Sequence, residues 1–275
     1  MLLPNEILQY NKSASIGELN KMRTITSGVY AWKAPIAHEQ ILSGNTTFLE
    51  PFQVSVETVK PGQKSTTGSE ANSTEELLIV KEGQLTVSLE GKSKSVGAGS
   101  IVFLMPNEKC NPENKGSNDL VLYRLRYTAK SGFNLARGES HGGSFIVDWD
   151  EMHFQNTDIG GRRDLFDKPT ATCTRVEMHV TTLNAGLQSH APHQHADEEL
   201  ILLLKGNLTM TVAGKKYPMA PGDFVFIASR DFHGLRNTGK DQCEYFALQW
   251  DINKIRYVTK MIRSGIRRVA SRYLN

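Results

Sequence analysis

The chain of 275 residues is 39% hydrophobic and 22% charged, a balance that suits a globular fold with one large core or two ordinary ones. No apolar run approaches the roughly 20 residues of a membrane-spanning helix, and the first residues lack the basic and long apolar segments of a secretion signal. The formal charge of +3 conceals an asymmetry: residues 252–275 hold seven Lys and Arg and no acid, so the remainder sums to 3 − 7 = −4. A mildly acidic body does not call for nucleic acid as a partner.

In chain order, short apolar runs bounded by turn glycines predict β-strands at 77–81, 85–89, 101–104 and 120–127. The polar stretch from Ser65 to Thr74 reads as a solvated loop. Residues 129–171 form a connection that is too long and partly too apolar for a free tether. Within it, 142–150 contains a short apolar strand, whereas 160–169 has the composition of a loop. Arg162, Arg163 and Asp164 read there as solvated surface charge. Further strands follow at 175–183, 200–205, 208–212, 224–227 and 243–250. Cys110, Cys173 and Cys243 are odd in number and unpatterned, so they read as reduced, buried cysteines of a reducing compartment. A cytoplasmic location is the expectation; a removed leader would leave no trace. Beyond 252, Ile255, Val258, Ile262, Ile266, Val269 and Tyr273 recur at helical spacing, predicting a basic amphipathic helix. Its apolar stripe is expected to dock on the protein or on a second copy of a homo-oligomer, with polyanion binding as the alternative.

The residues that carry chemistry lie between Gly186 and Asn237. His193 and His195 are two apart, which on a strand sends both imidazoles to one face. Glu199 returns to that face after four residues, and His233 closes the set from a later strand. Three imidazoles and a carboxylate suit a divalent transition metal with water completing the shell. Mn is the first expectation, with Fe, Ni, Zn and Co compatible with the same donors. Tyr245, Ala247 and Gln249 alternate with Phe246, Leu248 and Trp250, so the first row is expected to face a lumen. Gln249, together with Glu177 and His179 on the strand before the motif, is a candidate contact for a small-molecule substrate.

The chain also repeats itself. At an offset of 123 residues, Glu76 falls on Glu199, Gly83 on Gly206, Leu85-Thr86 on Leu208-Thr209, Gly91 on Gly214, Gly99 on Gly222 and Asn114 on Asn237. Such agreement without gaps indicates an internal duplication. The copies part where the metal would bind: His193, His195 and His233 correspond to Glu70, Asn72 and Cys110. Glu76 alone keeps its type, and the first copy is expected to be structural and metal-free.

These spacings resemble the paired motifs of the cupin superfamily, G-x5-H-x-H-x3-E-x6-G and G-x5-P-x-G-x2-H-x3-N. Here six residues separate Gly186 from His193, and a longer gap runs from Gly222 to His233. The resemblance implies an all-β fold of two tandem cupin (jelly-roll β-barrel) domains with a C-terminal helix. Its divisions are a degenerate N-terminal cupin with an arm (1–128), the connection (129–171), a metal-binding cupin (172–251) and the tail (252–275). The layout is similar to the (S)-ureidoglycine aminohydrolase family, manganese bicupins that release ammonia from a ureide. That family's ligands run Glu-x-His-x3-His with a Gln; here the places hold His193, His195, Glu199 and His233, so substrate and reaction need not carry over. Three classes stay open: a metal-dependent hydrolase or lyase, an Fe(II) dioxygenase, and a non-enzymatic binding or sensor protein.

Overall fold

The computed structural model describes residues 24–31, 38–65, 73–89, 91–108 and 110–252. An arm strand, β1 (Gly28–Tyr30), precedes the first copy: β2 (His38–Gly44), β3 (Leu49–Val59), β4 (Glu75–Glu82), β5 (Leu85–Leu89), β6 (Lys92–Val96), β7 (Ile101–Leu104) and β8 (Leu120–Ala129). The connection holds a short helix, α1 (Leu135–Ser140), then β9 (Phe145–Val147), β10 (Gln155–Thr157) and β11 (Gly160–Lys168). The second copy comprises β12 (Arg175–Leu183), β13 (Glu198–Lys205), β14 (Leu208–Val212), β15 (Lys215–Met219), β16 (Phe224–Ile227), β17 (His233–Asn237) and β18 (Cys243–Asp251). No helix among the described residues is long and apolar enough to cross a membrane. The expected basic helix lies outside the described residues.

Two large antiparallel sheets form the body, ordered β2-β3-β8-β4-β7-β9 and β1-β16-β13-β18-β12-β11-β10. Each is backed by a smaller sheet, β5-β6 in the first copy and β15-β14-β17 in the second. Three apolar cores result. One fills the first barrel (Leu78, Val80, Leu85, Leu122) and one the second (Ile201, Leu203, Leu208, Leu235). The third and largest lies between the big sheets, where Phe52 and Tyr127 meet Trp250 edge-on at 5.3 and 5.5 Å. Burial on both faces explains why β4 and β13 read as unbroken apolar runs rather than alternating ones.

The segment 160–169, expected as a loop, is largely strand β11. Its sequence hides this because lateral ion pairs replace apolar alternation: Arg162 pairs with Glu177, and Arg175 grips Asp167 through Nε and one terminal nitrogen at 2.7 and 3.0 Å. β6 and β15 are equally unmarked, being lysine-rich and exposed along most of their length. The repeated glycines have a steric cause. Gly83 and Gly206 adopt φ of +82° and +81°, and an added Cβ would strike the backbone of Asp119 and Cys243 within 3 Å. All three cysteines are buried and none is in a disulfide, and burial raises the Cys110 and Cys243 thiols to about 12 and about 11. They are therefore thiols at neutral pH, not reactive thiolates.

The copies hold each other reciprocally. β1, from the arm before the first copy, pairs with β16 of the second; β9, from the connection before the second copy, pairs with β7 of the first. Two buried carboxylates, Glu75 and its repeat Glu198, mirror this exchange. Glu75 accepts from Thr172 N at 2.9 Å and from the hydroxyls of Thr170 and Thr172 at 3.0 and 2.9 Å. Glu198 accepts from the Thr46 hydroxyl at 2.5 Å and from the amides of Thr47 and Phe48 at 2.8 and 3.3 Å.

Burial outweighs these hydrogen bonds and raises the pKa of Glu75 and of Glu198. A raised folded-state pKa contributes stability below the unfolded carboxylate value, and this is lost as pH rises through the folded value. Glu75→Gln should therefore gain on the wild type as pH climbs across that window, measured as the difference in urea midpoints. Glu75→Ala, which strands three donors, should cost about 1–3 kcal/mol at all pH values. An unchanged Glu75→Gln difference from acid to neutral pH would contradict the reading of Glu75.

Candidate metal centre

His193, His195 and His233 converge in the second barrel, each offering a donor atom within 4.8 Å of the others. Among the described residues, no other group of His, Cys, Asp and Glu meets this condition. The route to that convergence differs from the expected strand. His193 is held by an isolated bridge to His233, with His193 N donating to His233 O at 2.9 Å and His233 N to His193 O at 2.8 Å. His195 lies in the loop that enters β13, its carbonyl accepting from Arg230 N at 2.7 Å. Glu199 sits on β13 and His233 opens β17.

Hydrogen bonds set the protonation of the rings. His195 Nδ1 faces the Asp197 carbonyl at 3.0 Å and His233 Nδ1 the Asp231 carbonyl at 2.8 Å. A carbonyl only accepts, so each Nδ1 is the N–H and each Nε2 carries the lone pair of the neutral ring. Both Nε2 atoms lie 3.3 Å from Glu199 Oε2. Two lone pairs facing a carboxylate require a cation between them, a proton or a metal ion.

The buried groups reflect this need. Burial would raise the Glu199 carboxyl, but His195 and His233 outweigh it and hold it well below the usual carboxylate range. Burial would lower His195, but Glu199 overrides it and raises the ring. Burial, with His190 and the other two rings, pushes His193 down to about 4. His233 Nε2 and His193 Nδ1 are buried without a hydrogen-bond partner. Three ring nitrogens gathered beside an ionised carboxylate, two of them orphaned, fit a divalent transition metal. Gln249 Nε2 donates to Glu199 Oε1 at 3.2 Å, which leaves Oε2 toward the rings.

His193, Glu199, His233 and Gln249 line a cavity of about 350 Å³. Tyr245, Ala247 and Gln249 form part of its wall, while Phe246, Leu248 and Trp250 enter the core between the barrels. His179 also lines it. Glu177 does not reach the surface of the cavity but holds Arg162 and His179, which do. Arg162 is thus part of the cavity wall rather than mere solvated charge. Ser189 and His190 were missed; their only sequence signal is proximity to His193.

The motif asparagine serves folding. Asn237 Nδ2 donates to the carbonyls of Leu183 and Asp241, and its Oδ1 accepts from Gly239 N. Asn114 repeats the pattern with Val59, Asn118 and Gly116.

In the first barrel, Glu70 and Asn72 lie outside the described residues, but Glu76 is in place. Glu76 pairs across the strands with Arg126, as Glu199 pairs with Gln249. Arg126 Nε donates to Glu76 Oε2 at 2.8 Å, and the buried Arg124 donates to Oε1. Arg124 reaches Ser65 Oγ at 2.6 Å and Glu57 Oε2 at 3.3 Å as well. Two guanidinium groups thus supply the positive charge that imidazoles and a cation would supply in the second barrel. Arg124→Met should cost about 3–5 kcal/mol in denaturant unfolding, because it leaves two carboxylates under-compensated. A loss below 1 kcal/mol would show that the network carries no structural weight.

Comparison with known proteins follows the duplication. A family model described as Cupin domain matches residues 55–125 and again 179–249. (S)-ureidoglycine aminohydrolase of Escherichia coli (strain K12) is 20% identical over 184 residues, 66% of this chain and 67% of that protein. Among solved structures, protein Ylba from E. coli superposes with a TM-score of 0.60 at 15% identity, covering 87% of this chain and 98% of that one. Bacillus subtilis oxalate decarboxylase superposes with a TM-score of 0.54 at 12% identity, covering 74% and 69%. At these identities the structural likeness speaks for the fold alone. With one match in each half, the chain belongs to the cupin family and is a bicupin.

Proposed function

We propose that the second barrel is the active site of a metal-dependent enzyme acting on a small polar metabolite. One divalent ion is held by His193, His195, Glu199 and His233. The observation that carries this reading is the position of Glu199 Oε2, 3.3 Å from two Nε2 atoms whose opposite ring nitrogens are tied to carbonyls. Such pre-oriented donors gain affinity because little conformational freedom is lost on binding.

When bound, the ion lowers the pKa of water or polarises a substrate oxygen. The chain's own residues do the rest. Gln249 orients Glu199. Ile159, Ile201, Leu235 and Ala247 supply apolar wall, which strengthens electrostatic interactions inside. Thr181, Ser189, His190 and Tyr245 offer polar groups to a substrate of a few heavy atoms. Arg162, at the wall, is engaged by Asp164 and Glu177 and so steadies that side of the cavity. The narrow form of the proposal is hydrolysis of a C–N bond in a ureide, supported by the 20% identity to (S)-ureidoglycine aminohydrolase. Mn is the first metal to test; Fe, Co, Ni and Zn suit the same donors.

Wild-type protein should hold one equivalent of metal per chain after dialysis, and His195→Ala much less. At a hundredfold excess of metal over Kd, binding adds about 3 kcal/mol of stability, which the variant should lose as a fall in Tm. Full metal content in His195→Ala would overturn the ligand assignment. With Mn restored, the protein should release ammonia from (S)-ureidoglycine. If it does not while metal is bound, the substrate is wrong and the metal centre stands.

A further inference from the structure

A second constellation lies in the wall of the same cavity, on β12 and β11. Glu177 Oε1 accepts from His179 Nδ1 at 2.7 Å and from the Arg162 guanidinium at 2.8 Å. Glu177 and His179 are two apart on one strand, so they share the face turned away from the core between the barrels. A carboxylate only accepts, so Nδ1 bears the proton and Nε2 is left with a lone pair. His179 and Arg162 line the cavity together with His193, Glu199 and His233.

The surroundings keep the carboxylate charged. Burial would raise Glu177, but His179, Arg175 and Arg162 outweigh it and hold it below the usual range. Opposite His179 in the sheet stand Asp164 on β11 and Ala247 on β18. The charged or titratable groups around the pair are Arg162 and Asp164 on β11, Arg175 on β12 and Tyr245 on β18. Across the cavity stand His190, His193 and Glu199.

We propose that His179 is the general base and acid of the reaction in this cavity, with Glu177 as its positioning residue; this rests on reading the cavity as an active site. In a C–N hydrolysis, His179 Nε2 takes a proton from water as the water oxygen bonds to the substrate carbon. The C–N bond then breaks with its electron pair on nitrogen, and the imidazolium returns the proton to that nitrogen, releasing the amine. Glu177 stays ionised throughout and stabilises the transient imidazolium. Arg162, donating to the same Oε1, holds Glu177 in place.

The dyad is tested without substrate by nitrogen-edited NMR of the histidine rings in the full, zinc-treated protein, with His179→Gln assigning the signal. His179 should carry its neutral-state proton on Nδ1, and Glu177→Gln should move that Nδ1–H resonance, because a neutral amide oxygen accepts more weakly than a carboxylate. A proton on Nε2, or an Nδ1–H resonance unmoved by Glu177→Gln, overturns the dyad. Both variants should keep the wild-type metal content. His179→Gln should lower kcat on (S)-ureidoglycine by about 10²–10⁴ with little change in KM. Glu177→Gln should lower kcat less and move the acidic limb of the pH profile to lower pH. A His179→Gln protein with full metal and wild-type kcat overturns the catalytic role. Absence of metal from the wild-type protein would overturn the metal-enzyme reading alone, because the position of the ring proton decides the dyad without it.

Discussion

The alternation of side chains along β12, β13 and β18 is the constraint on which the second barrel and its site both depend. Val176, Met178 and Val180, Leu200 and Leu202, and Phe246, Leu248 and Trp250 enter the core between the sheets. The residues between them, among them His179, Glu199, Ile201, Tyr245 and Gln249, line the cavity. A slip of one residue would put Trp250 into the cavity and Glu199 into the core. The apolar interface therefore fixes the position of the polar site, and the site inherits the rigidity of the largest core in the molecule.

The two copies answer one electrostatic demand in two ways. A carboxylate on the same strand position, Glu76 or Glu199, is buried in each barrel. In the first, Arg124 and Arg126 neutralise it with covalently attached charge. That charge is permanent. In the second, Ala247 stands where Arg124 would reach in, and Gln249 replaces Arg126. The small side chain leaves room, and the neutral amide leaves the charge of Glu199 to the imidazoles and to whatever cation joins them. The absence of both arginines from the second copy is thus as informative as the presence of three histidines.

Much of this was legible in the sequence. The ungapped offset of 123 residues recovers the correspondence of β4 with β13, β5 with β14 and β7 with β16, because turn glycines such as Gly83 and Gly206 cannot drift without a backbone clash. The convergence of His193, His195, Glu199 and His233 was legible from motif spacing, but the reason given for it was not. A bridge and a loop, rather than a regular strand, present the two histidines. Long-range partners were hidden: nothing near Glu75 announces Thr170 and Thr172, and nothing near Gly28–Tyr30 announces β16. Strand β11 escaped notice because its stabilising contacts are charged and lateral, while periodicity detects apolar faces.

The exchange of β1 and β9 has a consequence for cooperativity. Each barrel completes one sheet with a strand supplied from outside its own copy, and each anchors a segment of the other through Glu75 or Glu198. Opening either barrel alone would bare an unpaired sheet edge and a stranded carboxylate at the same moment as the apolar face. The sequence is written twice, but the energetic unit is single. Strain or stabilisation introduced in the first copy is therefore expected to reach the second through the exchanged strands and the two carboxylate anchors.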